Sequence, residues 1–352
     1  MKKIAYIELD THAEIAANFM ELMNDSREFS VDYYFSEKIL KTLGLNETEN
    51  IIKTTPETLF RQLSSNDYQL VIIGTVHRYF NVFNEISRKF NTSVIVHNLN
   101  FTKISKFQLF KNIFKKDFKY RLKLLLKEDL LSATEVFKNA KNLLVLDETL
   151  IQENQNFPLK FLPVFFTNEY SESRKSIITI AIPGAVSQER RDYFHLLEKI
   201  KIFKSNASFQ FVFLGKAEGE ELSWLKEFEK VKPQNISIQY FTEKVSQQNF
   251  DEWMQKSDIL WCPIQSETEF FSQKEFYGKT KMSGNIGDAI KYGKLAIFPE
   301  NYPNSHPFII PENKNVEEQI FNGEELMSYD FGENFAREKV RKNLEQKLLN
   351  LL

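Results

Sequence analysis

Residues 277–299 read YGKTKMSGNIGDAIKYGKLAIFP. A polar loop with Lys279 and Lys281 leads into Ser283, Gly284 and Asn285, a helix over 284–292 follows, and after Gly293 comes a short apolar strand over 295–299. Loop, helix and buried strand in that order form one repeat of a parallel sheet with crossover helices. The same alternation continues upstream. Strands are predicted at 177–182, 209–214, 236–241 and 258–263, with helices at 190–203, 220–231 and 250–256. In the first half the strands fall at 3–9, 31–35, 70–74, 93–97 and 143–147, separated by helices such as 12–23 and 80–90. The stretch 165–176, FFTNEYSESRKS, has no periodicity and is rich in Ser, Asn and charge, as a linker would be. The chain is therefore expected to be α/β, with two domains in tandem: 1–165 and 177–333, joined by a linker over 166–176 and followed by a periodic helix over 334–352.

Composition narrows the function. At 352 residues the chain exceeds a typical single core. With 42% hydrophobic and 27% charged residues it is not a disordered chain. Lys and Arg number 46 against 48 acids, a net charge of -2 that argues against nucleic acid as a partner. The single cysteine, Cys262, excludes an intramolecular disulfide and a cysteine-based zinc cluster. Glu8 and Asp10 interrupt the first apolar run, so no secretory leader is expected, no apolar stretch is long enough to span a membrane, and the expected location is the cytoplasm. Glycines are scarce, 11 beside 33 phenylalanines, and no Gly-x-Gly-x-x-Gly occurs, which disfavours NAD and FAD. Gly278-Lys279-Thr280 resembles the tail of a phosphate-binding loop, but Gln273 stands where that motif requires glycine.

In open α/β sheets ligands sit beyond the carboxyl ends of the strands. Five such loops carry candidate chemistry. At 283–288, backbone N–H groups of a helix start attract phosphate, Gly284 permits close approach, Lys279 and Lys281 add charge, and Asp288 can accept from sugar or ribose hydroxyls. The plain alternative is a helix cap with a solvated Asp288. After the strand at 177–182, Gly184 ends the run and Arg190 and Arg191 stand at the next helix start, where their charge opposes the helix dipole unless an anion is present. In the first domain, Thr11 and His12 follow the first strand, His77 the strand at 70–74, and His97 and Asn98 the strand at 93–97. Three histidines at three strand ends of one sheet can converge on a cleft, with His12 as a candidate general base. Their spacing does not support a metal site.

Residues 103–127 hold nine Lys and Arg against one acid, Asp117, with Phe107, Phe110, Phe114, Phe118, Leu122 and Leu125 at helical spacing. The apolar stripe is expected to pack on the sheet beneath solvated lysines. A second expectation is peripheral attraction of the lysines to an anionic inner membrane face.

This layout resembles the glycosyltransferases of the GT-B fold. The likeness is most specific at 283–299, SGNIGDAIKYGKLAIFP, similar to their donor-site helix; 257–263, SDILWCP, resembles the strand before it, and 183–193 the loop near the diphosphate. The resemblance implies two Rossmann-like domains facing across a cleft, with the last helix crossing back to the first domain. It implies a nucleoside-diphosphate sugar donor and no further cofactor. The second domain would hold that donor through Gly184, Arg190, Arg191, Lys279, Lys281, Ser283, Gly284, Asn285 and Asp288. Thr11, His77, His97 and Asn98 would lie on the acceptor side, the acceptor being a glycan or lipid-linked saccharide of surface polysaccharide synthesis. Asp288 matches the ribose-binding glutamate of retaining members, while Thr280 stands where their first glutamate would be; His12 matches the base position of many inverting members. No Asp-x-Asp occurs, as expected of metal-independent transfer. A GT-B-fold epimerase and a non-catalytic nucleotide-sugar-binding scaffold remain alternatives.

Overall fold

The computed structural model describes residues 1–168, 177–205, 207–321 and 329–352. The chain divides into two compact units. One comprises Met1–Phe165, Glu269–Met282 and Arg337–Leu352; the other comprises Phe166–Thr268 and Ser283–Ala336. Most of the expected linker, 169–176, lies outside the described residues. Thr167 and Asn168 belong to the second unit, donating backbone N–H bonds to Phe335 O and Lys291 O at 2.9 and 3.0 Å.

The first unit holds a parallel sheet of seven strands. These are β1 (Lys2–Glu8), β2 (Phe29–Phe35), β3 (Ile51–Lys53), β4 (Leu70–Ile73), β5 (Thr92–Ile95), β6 (Asn142–Val145) and β7 (Leu159–Phe161), in the order β3-β2-β1-β4-β5-β6-β7. β4, β5 and β6 are buried at every position, as strands covered by helices on both faces must be. β1 lies between β2 and β4, with Ile4 opposite Leu70 and Ile7 opposite Ile73. The strand order reverses between β1 and β4, which opens a crevice at their carboxyl ends. β3 and β7, unexpected from the sequence, are three-residue edge strands too short to show a period.

The second unit repeats the design with six parallel strands. They are β8 (Ile177–Pro183), β9 (Ser208–Lys216), β10 (Ile236–Phe241), β11 (Ile259–Trp261), β14 (Ala296–Phe298) and β15 (Ile309–Pro311), ordered β10-β9-β8-β11-β14-β15. The strand order reverses again, between β8 and β11. The helix expected at 284–292 forms at Gly284–Tyr292, because its stop signals are local: Ser283 caps the start and Gly293 closes the end at φ 61°.

Three segments depart from the sequence reading. Between β11 and β14, β12 (Glu267–Phe270) and β13 (Gln273–Phe276) form a two-stranded sheet, and 269–282 pack with the first unit rather than the second. The buried Glu275 carboxylate accepts the backbone N–H of Asn100 and Phe101 at 3.1 and 2.8 Å, Leu99 N bonds Thr280 O at 2.9 Å, and Phe270 and Phe271 pack on Phe101. The periodic tail is broken at Ala336 into helices Phe331–Phe335 and Arg337–Leu349. The longer one lies in the first unit, where it buries Val340, Leu344 and Leu348 and Arg337 donates to Glu21 O. Finally, the basic segment forms two helices, Lys106–Ile113 and Phe118–Glu128, separated at Asp117 by a left-handed residue of φ 50°. Its buried positions are Ile104, Leu109, Asn112, Ile113, Arg121 and Leu124, while Phe107, Phe110, Phe114 and Phe118 are exposed. The expected packing of that phenylalanine stripe on the sheet is thus corrected. Helical period places these rings on one face, but Asn112 and Arg121 have buried hydrogen-bond partners that turn the other face inward.

Candidate functional site

In the first unit the loops after β1, β4 and β5 bring His12, His77 and His97 together. The rings of His12 and His97 stack at 3.9 Å, 9° from parallel, and His77 meets both edge-on at 5.9 Å. Donor and acceptor capacities fix the tautomers. Lys281 Nζ can only donate, and bonds Asn98 Oδ1 at 2.7 Å, so the Asn98 amide nitrogen faces His77 Nε2 at 3.3 Å. His77 Nε2 therefore accepts, leaving Nδ1–H toward Thr11 Oγ1 at 3.5 Å. His97 Nε2 donates to Gly74 O at 2.9 Å. Burial, then the charge of His12, holds both His77 and His97 well below the usual imidazole range, so both are neutral near pH 7.

His12 is arranged differently. It caps the Ala13–Met23 helix in a left-handed conformation, φ 57° and ψ 38°, which costs a β-carbon-bearing residue about 1 kcal/mol. Its Nδ1 sits 2.9 Å from Glu14 Oε1. A carboxylate can only accept, so Nδ1 carries a hydrogen; in the neutral ring the lone pair is then on Nε2, the form of a general base. Desolvation pushes the Glu14 carboxyl up, but the hydrogen bond and charge of His12 hold it below the ordinary range on balance. The sequence reading missed Glu14. It also missed Glu8, the last residue of β1, whose carboxylate accepts from Thr75 Oγ1 at 2.7 Å and from the N–H of Asp10 and Thr11 at 3.2 and 3.3 Å. Burial pushes Glu8 up to about 7 against these lowering bonds and the charge of His12.

These shifts predict a pH dependence. Below pH 6.5 the unfolded chain binds protons that folded His77 and His97 refuse, so stability falls as pH drops. Between 7 and 4.5 folded Glu8 holds a proton that the unfolded chain releases, which has the opposite sign. Each group contributes at most about 1.4 kcal/mol per pH unit, so with two histidines against one carboxyl the cluster on balance loses stability as pH falls. Glu8→Gln removes the opposing member. The loss from pH 6.5 to 5 then steepens to at most about 2.7 kcal/mol per unit in chemical unfolding. Equal slopes in wild type and variant would show that folded Glu8 is ionised throughout.

In the second unit the loops after β8 and β11 are laced together: Asp192 N bonds Pro263 O at 2.7 Å and Gln265 N bonds Arg190 O at 3.1 Å. The helix after β8 starts at Tyr193 with Asp192 as its cap, so Arg190 and Arg191 precede the helix rather than opening it. Arg190 is exposed. Arg191 folds back beneath Gly184, where a β-carbon would fall 2.2 Å from Nη2. Its Nη2 donates to Asn285 Oδ1 at 3.2 Å, and its Nε is buried without a hydrogen-bond partner among the described residues. Asn285 Nδ2 in turn reaches Pro183 O at 3.3 Å and Asp288 Oδ2 at 3.0 Å. Gly184, Arg191, Ser283, Gly284, Asn285 and Asp288 are thus joined at the start of the Gly284–Tyr292 helix, with Gly284 exposed. Lys279 and Lys281, grouped with these residues from the sequence, pack with the first unit instead, where Lys281 serves Asn98. Such a helix start with a fixed guanidinium beside it suits a doubly charged oxyanion.

Among the described residues no helix is long and apolar enough to cross a membrane, and no group of three or more His, Cys, Asp and Glu side chains could hold a metal ion. No family profile matches the chain, and no curated protein sequence matches it. Solved structures do. The apo form of the lipopolysaccharide outer core galactosyltransferase WaaB superposes with a TM-score of 0.58 at 12% identity, covering 99% of this chain and all of that one. Sucrose-phosphate synthase of Thermosynechococcus elongatus gives 0.52 at 12% identity, covering 100% of this chain and 95% of that one. UDP-GlcNAc 2-epimerase of Neisseria meningitidis, bound to UDP-GlcNAc, gives 0.50 at 12% identity, covering 99% and 100%. What is shared at these identities is the fold: the chain has the GT-B glycosyltransferase architecture.

Proposed function

We propose that the chain is a metal-independent glycosyltransferase that moves a sugar from a nucleoside-diphosphate sugar to a hydroxyl of a glycan or lipid-linked acceptor in surface polysaccharide synthesis. The observation that carries the reading is Arg191, fixed beside the Ser283–Asn285 helix start with a buried Nε donor that has no partner among the described residues. In this reading the second unit binds the diphosphate there, and Asp288 takes the ribose or a neighbouring hydroxyl. The first unit supplies the base. His12 Nε2 takes the proton of the acceptor hydroxyl as its oxygen attacks the anomeric carbon. The bond from that carbon to the diphosphate oxygen breaks, its electron pair leaves with the diphosphate, and the configuration inverts. Arg191 and the helix start offset the developing charge, as a divalent ion would elsewhere. Glu14 stabilises the imidazolium that forms, while His77 and His97 stay neutral, line the acceptor side with Thr11 and Asn98, and add no competing charge.

Calorimetric titration with a panel of nucleoside diphosphates and their sugars tests the donor site. One diphosphate nucleotide is expected to bind at micromolar Kd, an affinity of about 8 kcal/mol, and to weaken at least tenfold in Ser283→Trp and in Asp288→Ala. No binding across the panel overturns the donor assignment. The structural likeness to the epimerase supports a second reading. Conversion of the bound nucleotide sugar to its epimer without any acceptor would put that activity in place of transfer.

A further inference from the structure

The helical pair Lys106–Ile113 and Phe118–Glu128 presents a face that the sheet does not use. Its inward side is already satisfied. Leu109, Ile113 and Leu124 join the core, Asn112 Nδ2 bonds Phe271 O at 2.8 Å, and Arg121 Nη1 bonds Ser272 Oγ at 2.8 Å. The outward side is apolar at its centre. Phe107, Phe114 and Leu126 are 69%, 62% and 74% exposed, and the Phe114 ring meets Phe110 edge-on at 5.5 Å and stacks on Phe118 at 5.6 Å. The same stretch carries eight exposed lysines, Lys103, Lys106, Lys111, Lys115, Lys116, Lys119, Lys123 and Lys127, and Lys111 Nζ lies 4.9 Å from the Phe107 ring centroid. Acids near the pair include Asp117, the one acid of the stretch, and Glu135, which lies 3.7 Å from Lys106. The 25 residues 103–127 carry nine bases and one acid, and the other 327 residues carry 37 bases and 47 acids. The stretch is thus net positive in an otherwise acidic chain, and four of its phenylalanines are bare.

We propose that this face is a docking surface for an anionic lipid bilayer. Phenylalanines flanked by lysines meet both demands of that interface: rings enter the boundary between headgroups and acyl chains, and ammonium groups stay with the phosphates. A second copy of the chain does not fit, because two such faces would bring like charges together. Nucleic acid would engage the lysines but leave the phenylalanines without a partner except where single-stranded bases stack on them. The inference goes beyond the transfer reaction, and its test uses no nucleotide, so it stands or falls separately from the donor site.

Co-sedimentation of the full chain with phosphatidylcholine vesicles, with and without about 30% phosphatidylglycerol, is the test. Binding is expected to the anionic vesicles alone and to fall steeply between ~0.1 and ~0.5 M salt. Phe107→Ser with Phe114→Ser, and separately Lys115→Glu with Lys119→Glu, are each expected to weaken it about tenfold or more, with unchanged circular dichroism. The proposal is overturned if anionic vesicles do not sediment the chain. Unaltered binding in both double variants overturns it too, as does a single-stranded oligonucleotide that binds more tightly than the vesicles and displaces them.

Discussion

His12→Asn is expected to lower kcat about a thousandfold, roughly 4 kcal/mol of transition-state stabilisation, while nucleotide affinity stays within about twofold. The choice of asparagine separates chemistry from folding. Position 12 sits at φ 57°, a region that asparagine tolerates better than other residues with a β-carbon, so the turn from β1 into the Ala13–Met23 helix persists. What is lost is a ring nitrogen with a lone pair. The lone pair of neutral His77, on Nε2, is engaged by the Asn98 amide, and His97 donates its Nε2 hydrogen to Gly74 O, which leaves its own lone pair on Nδ1. Glu14→Gln is the companion variant. It weakens the hold on Nδ1 without removing the base, so a drop of about ten- to hundredfold in kcat is expected, with KM little changed. Full activity in His12→Asn would remove the base assignment, and a loss of nucleotide affinity of the same size would make the effect structural.

Gly184→Ala is expected to lower the second unit's stability by about 2–3 kcal/mol and to weaken diphosphate binding at least tenfold. Two effects add. The backbone at φ 107° is costly for any residue with a β-carbon, and that carbon would fall 2.2 Å from Arg191 Nη2 and 2.5 Å from Cζ. The guanidinium must then leave Asn285. There is little room to retreat, since Gly215 presses from behind so closely that its own β-carbon would lie 2.1 Å from Gly184 O. Gly44→Ala is the control. Its φ is 65° but nothing lies within 4 Å of the added carbon, so only conformational strain of about 1 kcal/mol applies and nucleotide binding is unaffected. Thermal unfolding with calorimetric titration of both variants checks the pair. Equal losses in stability would show that the crowding at Arg191 is relieved without consequence.

The Gly284–Tyr292 helix was legible residue for residue, because Ser283 and Gly293 act on neighbours within one turn. The alternation of short apolar runs and amphipathic stretches was legible as two α/β sheets, and the histidines were placed at strand ends. Their partners were not. Glu14 sits two residues from His12, yet only the left-handed turn at His12 aims its carboxylate at Nδ1. Lys281 carried a charge next to a helix start in sequence, which suggested phosphate. The bonds of Glu275 to Asn100 and Phe101 hold its segment in the other unit and give it Asn98.

The amino-acid sequence by itself determined the repeating local structure, because caps, turns and hydrophobic period are properties of neighbouring residues. It set which phenylalanines between Phe107 and Phe118 share a helix face. Only the tertiary structure decided which way that face points, which ring nitrogen of His77 and His97 carries the hydrogen, and where Arg191 leaves its guanidinium. Each of those is settled by a partner 21, 94 or 159 residues away, and periodicity carries no record of such partners.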